Sequence, residues 1–137
     1  MKKTIFLLSF VFLTFACKKT EDPVPSPTFN YDLKLFYGTW LVTSADLGDG
    51  NYIDPNILPG YTDTKATFNA DGTFSSTGLL GSLPGTYKAA GNTIVVYFGG
   101  IETYHLDIIA FTSKEIELKV SSVGSVVVNF KVKATKQ

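Results

Sequence analysis

From Leu35 onward, apolar and polar residues alternate in short runs broken by turn residues at intervals of about 8 to 12 positions, the signature of half-buried strands. Eight runs read as strands: Leu35 to Ser44, Thr64 to Asn69, Thr73 to Gly78, Gly85 to Ala89, Thr93 to Phe98, Glu102 to Phe111, Glu115 to Ser121 and Ser125 to Ala134. Between them lie Ala70-Asp71-Gly72, Gly91-Asn92 and Val123-Gly124. These residue types tolerate the positive φ of tight turns, so neighbouring strands are expected to be antiparallel. The alternation assigns to one inner face Phe36, Trp40 and Val42, then Ala66, Phe68, Phe74 and Tyr87, then Ile94, Val96, Phe98, Tyr104, Leu106 and Ile108. Ile116, Leu118, Val120, Val126, Val128, Phe130 and Val132 complete it, while Glu115, Glu117, Lys119, Asn129, Lys131 and Lys133 face water. Ile108-Ile109-Ala110-Phe111 breaks the alternation and reads as covered on both sides; Tyr31 to Phe36 has the length of one helical turn. Sequential antiparallel strands leave two raw edges unless the sheet closes. The expected fold class is therefore all-β, a single antiparallel up-and-down barrel of about eight strands, with an interior either filled by its own side chains or just wide enough for one small ligand.

Ahead of the barrel the pattern changes. Lys2 and Lys3 precede a mostly apolar run of 12 residues from Ile5 to Ala16. Crossing a bilayer as a helix takes about 20 residues, so this run fits the core of a secretory signal peptide. Thr14-Phe15-Ala16-Cys17 then resembles the lipobox at which bacterial lipoprotein signals are cut and the cysteine acylated, in the looser form of Bacteroidetes-type envelopes, with Leu13 four residues before Cys17 where three is usual. The reading divides the chain into a signal peptide (1–16), a lipidated cysteine with a proline-rich tether (17–34) and a barrel domain (35–137). Pro23-Val24-Pro25-Ser26-Pro27 favours an extended spacer. The resemblance implies a lipoprotein of the cell envelope, localised to the outer membrane, with the membrane as partner through Cys17 and display on the outer face left open by the charged stretch Lys18 to Asp22.

Gly38-Thr39-Trp40 opens the first strand as the G-x-W motif opens lipocalins, where the tryptophan closes one end of the barrel. Together with Thr67-Phe68-Asn69-Ala70-Asp71-Gly72-Thr73-Phe74, Gly85-Thr86-Tyr87 and Gly91-Asn92-Thr93-Ile94, it resembles the short lipocalin-like domains of Bacteroidetes lipoproteins over residues 35 to 134. Lipocalins pack an arginine across the tryptophan; this chain has no arginine, leaving Lys131 or Lys133 for that place, and it lacks the long C-terminal helix of the archetypal members. The resemblance implies non-catalytic binding of a small apolar ligand. Trp40, Phe68, Phe74, Tyr87, Phe98, Tyr104 and Phe130 are the candidate cavity lining, since apolar pockets with a few polar tips suit small hydrophobes. The longest connection, Asp46 to Asp63, is the candidate lid, with Tyr52, Ile53, Ile57, Leu58 and Tyr61 to cover the mouth. The same rings could instead fill the barrel, and the chain would then be a protein-interaction or inhibitor module of the envelope.

Composition narrows the chemistry. The 137 residues carry 12 basic and 12 acidic side chains, and every basic one is lysine, so no basic surface points to nucleic acid and no bidentate clamp exists for phosphate. Without residues 1–16 the balance tips to about −2. A lone cysteine rules out an internal disulfide, and a lone histidine leaves little for a zinc site or a triad. His105 and Asp107 lie on one face of a strand, with no serine or cysteine in motif context beside them, so the expectation is no enzyme, no cofactor and no metal. Asp49-Gly50-Asn51-Tyr52-Ile53-Asp54 lacks the ordered oxygen ligands of a calcium loop, with Tyr52 where the glycine belongs. A monomer is expected.

Overall fold

A computed structural model describes residues 27–126 and 128–137; Cys17, the signal segment and most of the tether lie outside the described residues. Eight strands form a closed antiparallel barrel in chain order: β1 (Gly38–Asp46), β2 (Lys65–Phe68), β3 (Thr73–Thr77), β4 (Pro84–Ala90), β5 (Thr93–Phe98), β6 (Ile101–Phe111), β7 (Glu115–Ser122) and β8 (Asn129–Lys136). β8 closes on β1 from Trp40↔Lys136 to Asp46↔Lys131. One helical turn, α1 (Leu33–Phe36), precedes β1, and its N-cap Asp32 accepts from the Lys34 amide at 2.9 Å. The helical turn that this cap starts takes up Leu35 and Phe36, so β1 begins late, at Gly38 and not at Leu35.

The meander fixes two poles. One holds the β2–β3, β4–β5 and β6–β7 hairpins and the entry to β1. The chain before α1 lies there: Gly91 donates to the Thr28 carbonyl at 3.0 Å, Asn30 donates to the Gly91 carbonyl at 2.9 Å, and Phe29 and Tyr31 pack on the core. Residues 28–34, read from the sequence as tether, are therefore folded onto the barrel. The opposite pole carries the long β1–β2 connection, the β3–β4 connection with its 3₁₀ turn (Gly78–Leu80), and the β5–β6 and β7–β8 hairpins.

Two strand expectations change. Val126 and Val128, assigned to the inner face, are 75% and 48% exposed. The Ser122 hydroxyl donates to the Val126 carbonyl and accepts from the Val128 amide, both at 2.8 Å, so these residues belong to the hairpin and β8 begins at Asn129. The run at Ile108 is not covered on both sides: the β6–β7 register shifts between Ile108 and Ala110, and Ile109 is thrown outward, 49% exposed. A bulge adds one residue and preserves the alternation on either side of it.

Candidate functional site

The barrel interior is the first place a ligand would sit, and it is full. Phe36, Trp40, Val42, Phe68, Ile94, Val96, Val120 and Val132 are each at most 2% exposed. The space left among them is about 10 Å³, bordered by Trp40, Val42, Phe68, Leu80, Leu106 and Val120 among others. One water needs at least that much, and a drug-sized ligand occupies roughly 300 Å³ or more. Of the seven candidate lining residues, only Trp40 and Phe68 touch this remnant.

The other rings pack on one another. Phe68 lies 5.0 Å from Phe74 and 5.2 Å from Tyr87 between ring centroids; Phe74 reaches Phe98 at 5.9 Å, and Phe98 reaches Tyr104 at 6.1 Å. These are the tilted and edge-on separations at which aromatic pairs attract. The Tyr87 hydroxyl donates to the Asn69 carbonyl at 2.7 Å, tying β4 to the β2–β3 turn, and burial raises its pKa. Phe98 and Tyr104 are half-buried and packed against the core. Phe130, 8% exposed, also borders an outer groove with Asp46, Lys119 and Lys131.

Trp40 seals the pole at which the chain enters the barrel. Its indole Nε1 donates to the Phe36 carbonyl at 2.8 Å, satisfying the one polar atom that burial would otherwise strand. Phe36 and Phe111 lie 6.0 Å from its ring. The place of the missing arginine is taken by Lys136, not by Lys131 or Lys133. Its Nζ stands 5.7 Å from the Trp40 ring and donates to the Leu35 carbonyl at 2.7 Å. Lys131 and Lys133 point outward, as their alternation requires; the register that brings Lys136 opposite Trp40 depends on a bulge between Val42 and Ser44.

At the other pole the seal is Leu80, in the connection between β3 and β4 and outside the strands that alternation marks. It is 5% exposed and lines the interior remnant. Two buried hydroxyls hold its turn: Thr64 Oγ1 accepts from the Leu79 amide at 3.1 Å, and Ser76 Oγ donates to the Gly81 carbonyl at 2.9 Å. The recoverable signal is the apolar pair Leu79-Leu80 held between Gly78 and Gly81.

The long connection does not close over an open mouth. Ile53 pairs with Ala45 through two backbone bonds, extending the free edge of β1. Tyr52 lies along the outer wall: its hydroxyl donates to Glu117 at 2.7 Å, and Lys133 sits 4.2 Å from its ring centroid. That bond to a carboxylate favours the neutral phenol and pushes its pKa up to about 12. Ile57 and Tyr61 are 71% and 40% exposed, whereas Leu58 is half-buried.

His105 Nε2 meets Glu102 at 2.6 Å, and Asp107 accepts from Thr93 Oγ1 at 2.7 Å, so the two are bound to different partners and form no dyad. In the long connection, Asp49 and Asp54 accept the amides of Asn51 and Asn56, at 3.0 and 2.9 Å, as turn caps. No cluster of three metal-ligating side chains occurs among the described residues.

A family model described as a lipocalin-like domain matches residues 36–118, from the last residue of α1 through the first half of β7. No curated protein matches the chain. β8, beyond the matched span, is the strand that closes the barrel.

Proposed function

The chain belongs to the lipocalin-like domain family, and on that premise we propose that it is a non-catalytic binding protein of the cell envelope, tethered through a lipidated Cys17. Its barrel serves as a filled scaffold that recognises a partner by its surface. The interior carries this reading: about 10 Å³ of free space holds no ligand. The order of the two expectations is thereby reversed, with the interaction module ahead of the enclosed ligand.

A second reading keeps the small apolar ligand that a lipocalin-like barrel suggests. It is favoured by the purely apolar border of the remnant and by the single three-residue turn that closes it at the Leu80 pole. Entry would then require Leu80 to leave.

Native mass spectrometry of the protein purified from its own membrane separates the two. A co-purifying protein with no small molecule is the expected result; a stoichiometric small apolar molecule would overturn it. The anchor is tested by labelling with a palmitate analogue, which Cys17→Ala should abolish.

A further inference from the structure

The outer wall of β7 and β8 carries a like-charged pair. Lys119 and Lys131 stand directly opposite each other in the antiparallel register, both exposed, although like charges facing each other across strands destabilise a sheet. The ion pairs within 4.0 Å among the described residues are Lys65–Asp63 and His105–Glu102, so neither ammonium of the pair has a carboxylate at that distance. The acids that border the pair are engaged elsewhere. Asp46, opposite Lys131 on β1, is 6% exposed, and its Oδ1 accepts from the Gly48 and Gly50 amides, both at 2.9 Å. Asp107, opposite Lys119 on β6, accepts from Thr93 Oγ1 at 2.7 Å. Glu117, next along the same face of β7, accepts from the Tyr52 hydroxyl, and the ring of that tyrosine also takes Lys133. Asp49, exposed in the neighbouring loop, accepts from the amide and the side chain of Asn51.

The two lysines border a groove of about 340 Å³ that is open to solvent and lined also by Asn129, Phe130, Gly48 and Gly50. A Cβ built on either glycine would meet nothing within 4 Å, so this side of the groove leaves room for an incoming chain. Asp46, the one acid in the lining, is recessed and holds its loop, which leaves the two ammoniums and the Asn129 amide to meet whatever enters. Each ammonium is a point charge on its own flexible stem, unlike the arginine fork that grips one phosphate bidentately. The arrangement therefore suits two separate carboxylates.

We infer that this groove receives an extended segment of a protein partner, in which two acidic side chains placed two residues apart pair with Lys119 and Lys131. The inference rests on the surface-recognition reading above and names its site and partner chemistry. In an extended segment, residues i and i+2 share a face, so one such segment presents both carboxylates together. Charge complementarity sets the partner's sign: the repulsion within the lysine pair, unrelieved by the chain's own acids, is relieved when the partner's acids arrive.

The test follows the amide chemical shifts of the full-length chain as cells export it, ¹⁵N-labelled in neutral detergent, during titration with a threonine–glutamate peptide of alternating sequence and with its threonine–glutamine counterpart. The glutamate peptide alone should move the amides of Gly48, Gly50, Lys119, Asn129 and Lys131, and salt should weaken it. Lys119→Gln and Lys131→Gln should each weaken it by about threefold to fivefold, the upper range for one exposed ion pair, and the double variant by about tenfold or more. Lys88→Gln, at an exposed lysine of β4, should leave it within about twofold. A second readout separates recognition from a structural role: in the free protein, Lys119→Gln ends a like-charge contact and should leave the thermal midpoint unchanged or raised. Equal binding of the glutamine peptide, an equal loss in Lys88→Gln, tighter binding of inorganic phosphate or phosphatidylglycerol vesicles than of the glutamate peptide, or a lowered midpoint in Lys119→Gln would each overturn the inference. Failure of the underlying reading shows differently: a fatty acid entering the interior would move the Trp40 indole and the amides of Val96 and Val120, whatever the peptides do.

Discussion

Replacing Leu80 by alanine tests whether the interior is filled and sealed. The substitution removes three side-chain carbons from a residue that is 5% exposed, and about 0.8 kcal/mol per buried methylene gives a transfer loss near 2.4 kcal/mol. The void left behind adds to this, and Leu→Ala losses at fully enclosed sites run from about 2.7 to 5 kcal/mol. Leu80 sits on a short turn at the rim, where neighbours can close part of the hole, so the expected loss is at the low end, about 2.5 to 3 kcal/mol. In urea this lowers the midpoint by roughly 1 to 3 M with an unchanged slope, followed by Trp40 fluorescence. The second readout is rescue by a small apolar molecule. Benzene at about 100 times its dissociation constant stabilises the species that binds it by about 2.7 kcal/mol, which would restore nearly the whole loss. The parent protein, with about 10 Å³ inside, has nowhere to bind it and should not respond. A loss under about 1 kcal/mol, or equal stabilisation of the parent by benzene, would refute the sealed-interior reasoning.

Other consequences are open to measurement. Gly78 has φ +66°, and a Cβ there would stand 2.7 Å from Thr64 Cα, closer still to its hydroxyl, whereas Gly81 at φ +85° has open space. Gly78→Ala should therefore cost about 1 to 3 kcal/mol beyond Gly81→Ala in urea unfolding, the excess being the overlap with Thr64; equal losses would mean that backbone strain alone acts. Trp40→Phe strands the Phe36 carbonyl and should destabilise by about 1 to 3 kcal/mol in thermal unfolding; a neutral result would remove the indole bond from the seal. The Tyr52 phenol is raised from an ordinary 10 to about 12 by its bond to Glu117. Its stabilising contribution is therefore complete below pH 10 and lost as pH rises through 12. Besides Tyr87, whose phenol burial also raises, ultraviolet titration should show a late phenol that vanishes in Tyr52→Phe and moves down in Glu117→Gln; no change of the late phase in Tyr52→Phe would contradict the contact.

The strand order and closure were legible because each β-type run carries its own alternation and turn residues, and those are local properties. Asp71 illustrates this: its carboxylate accepts from Thr73 Oγ1 at 2.7 Å and from the Thr73 amide at 2.9 Å, the turn its sequence announces. The misreadings occur where a nonlocal contact or a side-chain bond to the backbone overrides the alternation. Val126 and Val128 continue the pattern of β8, yet the Ser122 hydroxyl diverts the chain at that point. Lys136 was missed because its place over Trp40 depends on a register set by a bulge, which shifts every pairing beyond it. Tyr52 looked like a lid residue by composition. Its partner Glu117 is 65 positions away, and only the closed barrel brings the two together. Nor could alternation decide between rings lining a cavity and rings filling one, because both arrangements place the same residues inward.

The two poles divide the labour of the fold. At the pole of chain entry, Phe36, Trp40, Phe68 and Phe111 interlock, with Phe36–Phe68 centroids 4.4 Å apart, and Phe29 and Tyr31 cover them. Aromatic packing of this density supplies much of the stability and tolerates little change. At the far pole the exposed apolar tips contribute almost nothing to the core, since Ile57, Ile101 and Val126 are each more than 70% exposed. Stability and surface chemistry are thus carried by different residues, and substitutions of the exposed far-pole tips and of the packed aromatic rings, which share no partners, should act additively on folding. A barrel of this size that surrendered its interior to a ligand would lose that separation, because the inward rings Phe36, Phe68, Phe74, Phe98 and Tyr104 form a continuous chain of contacts. With the interior filled, the exposed tips of the loop pole, unlike buried Leu80 and the Thr64 and Ser76 hydroxyls that hold its turn, are free to vary without disturbing the fold, as surface connections over a packed scaffold generally are.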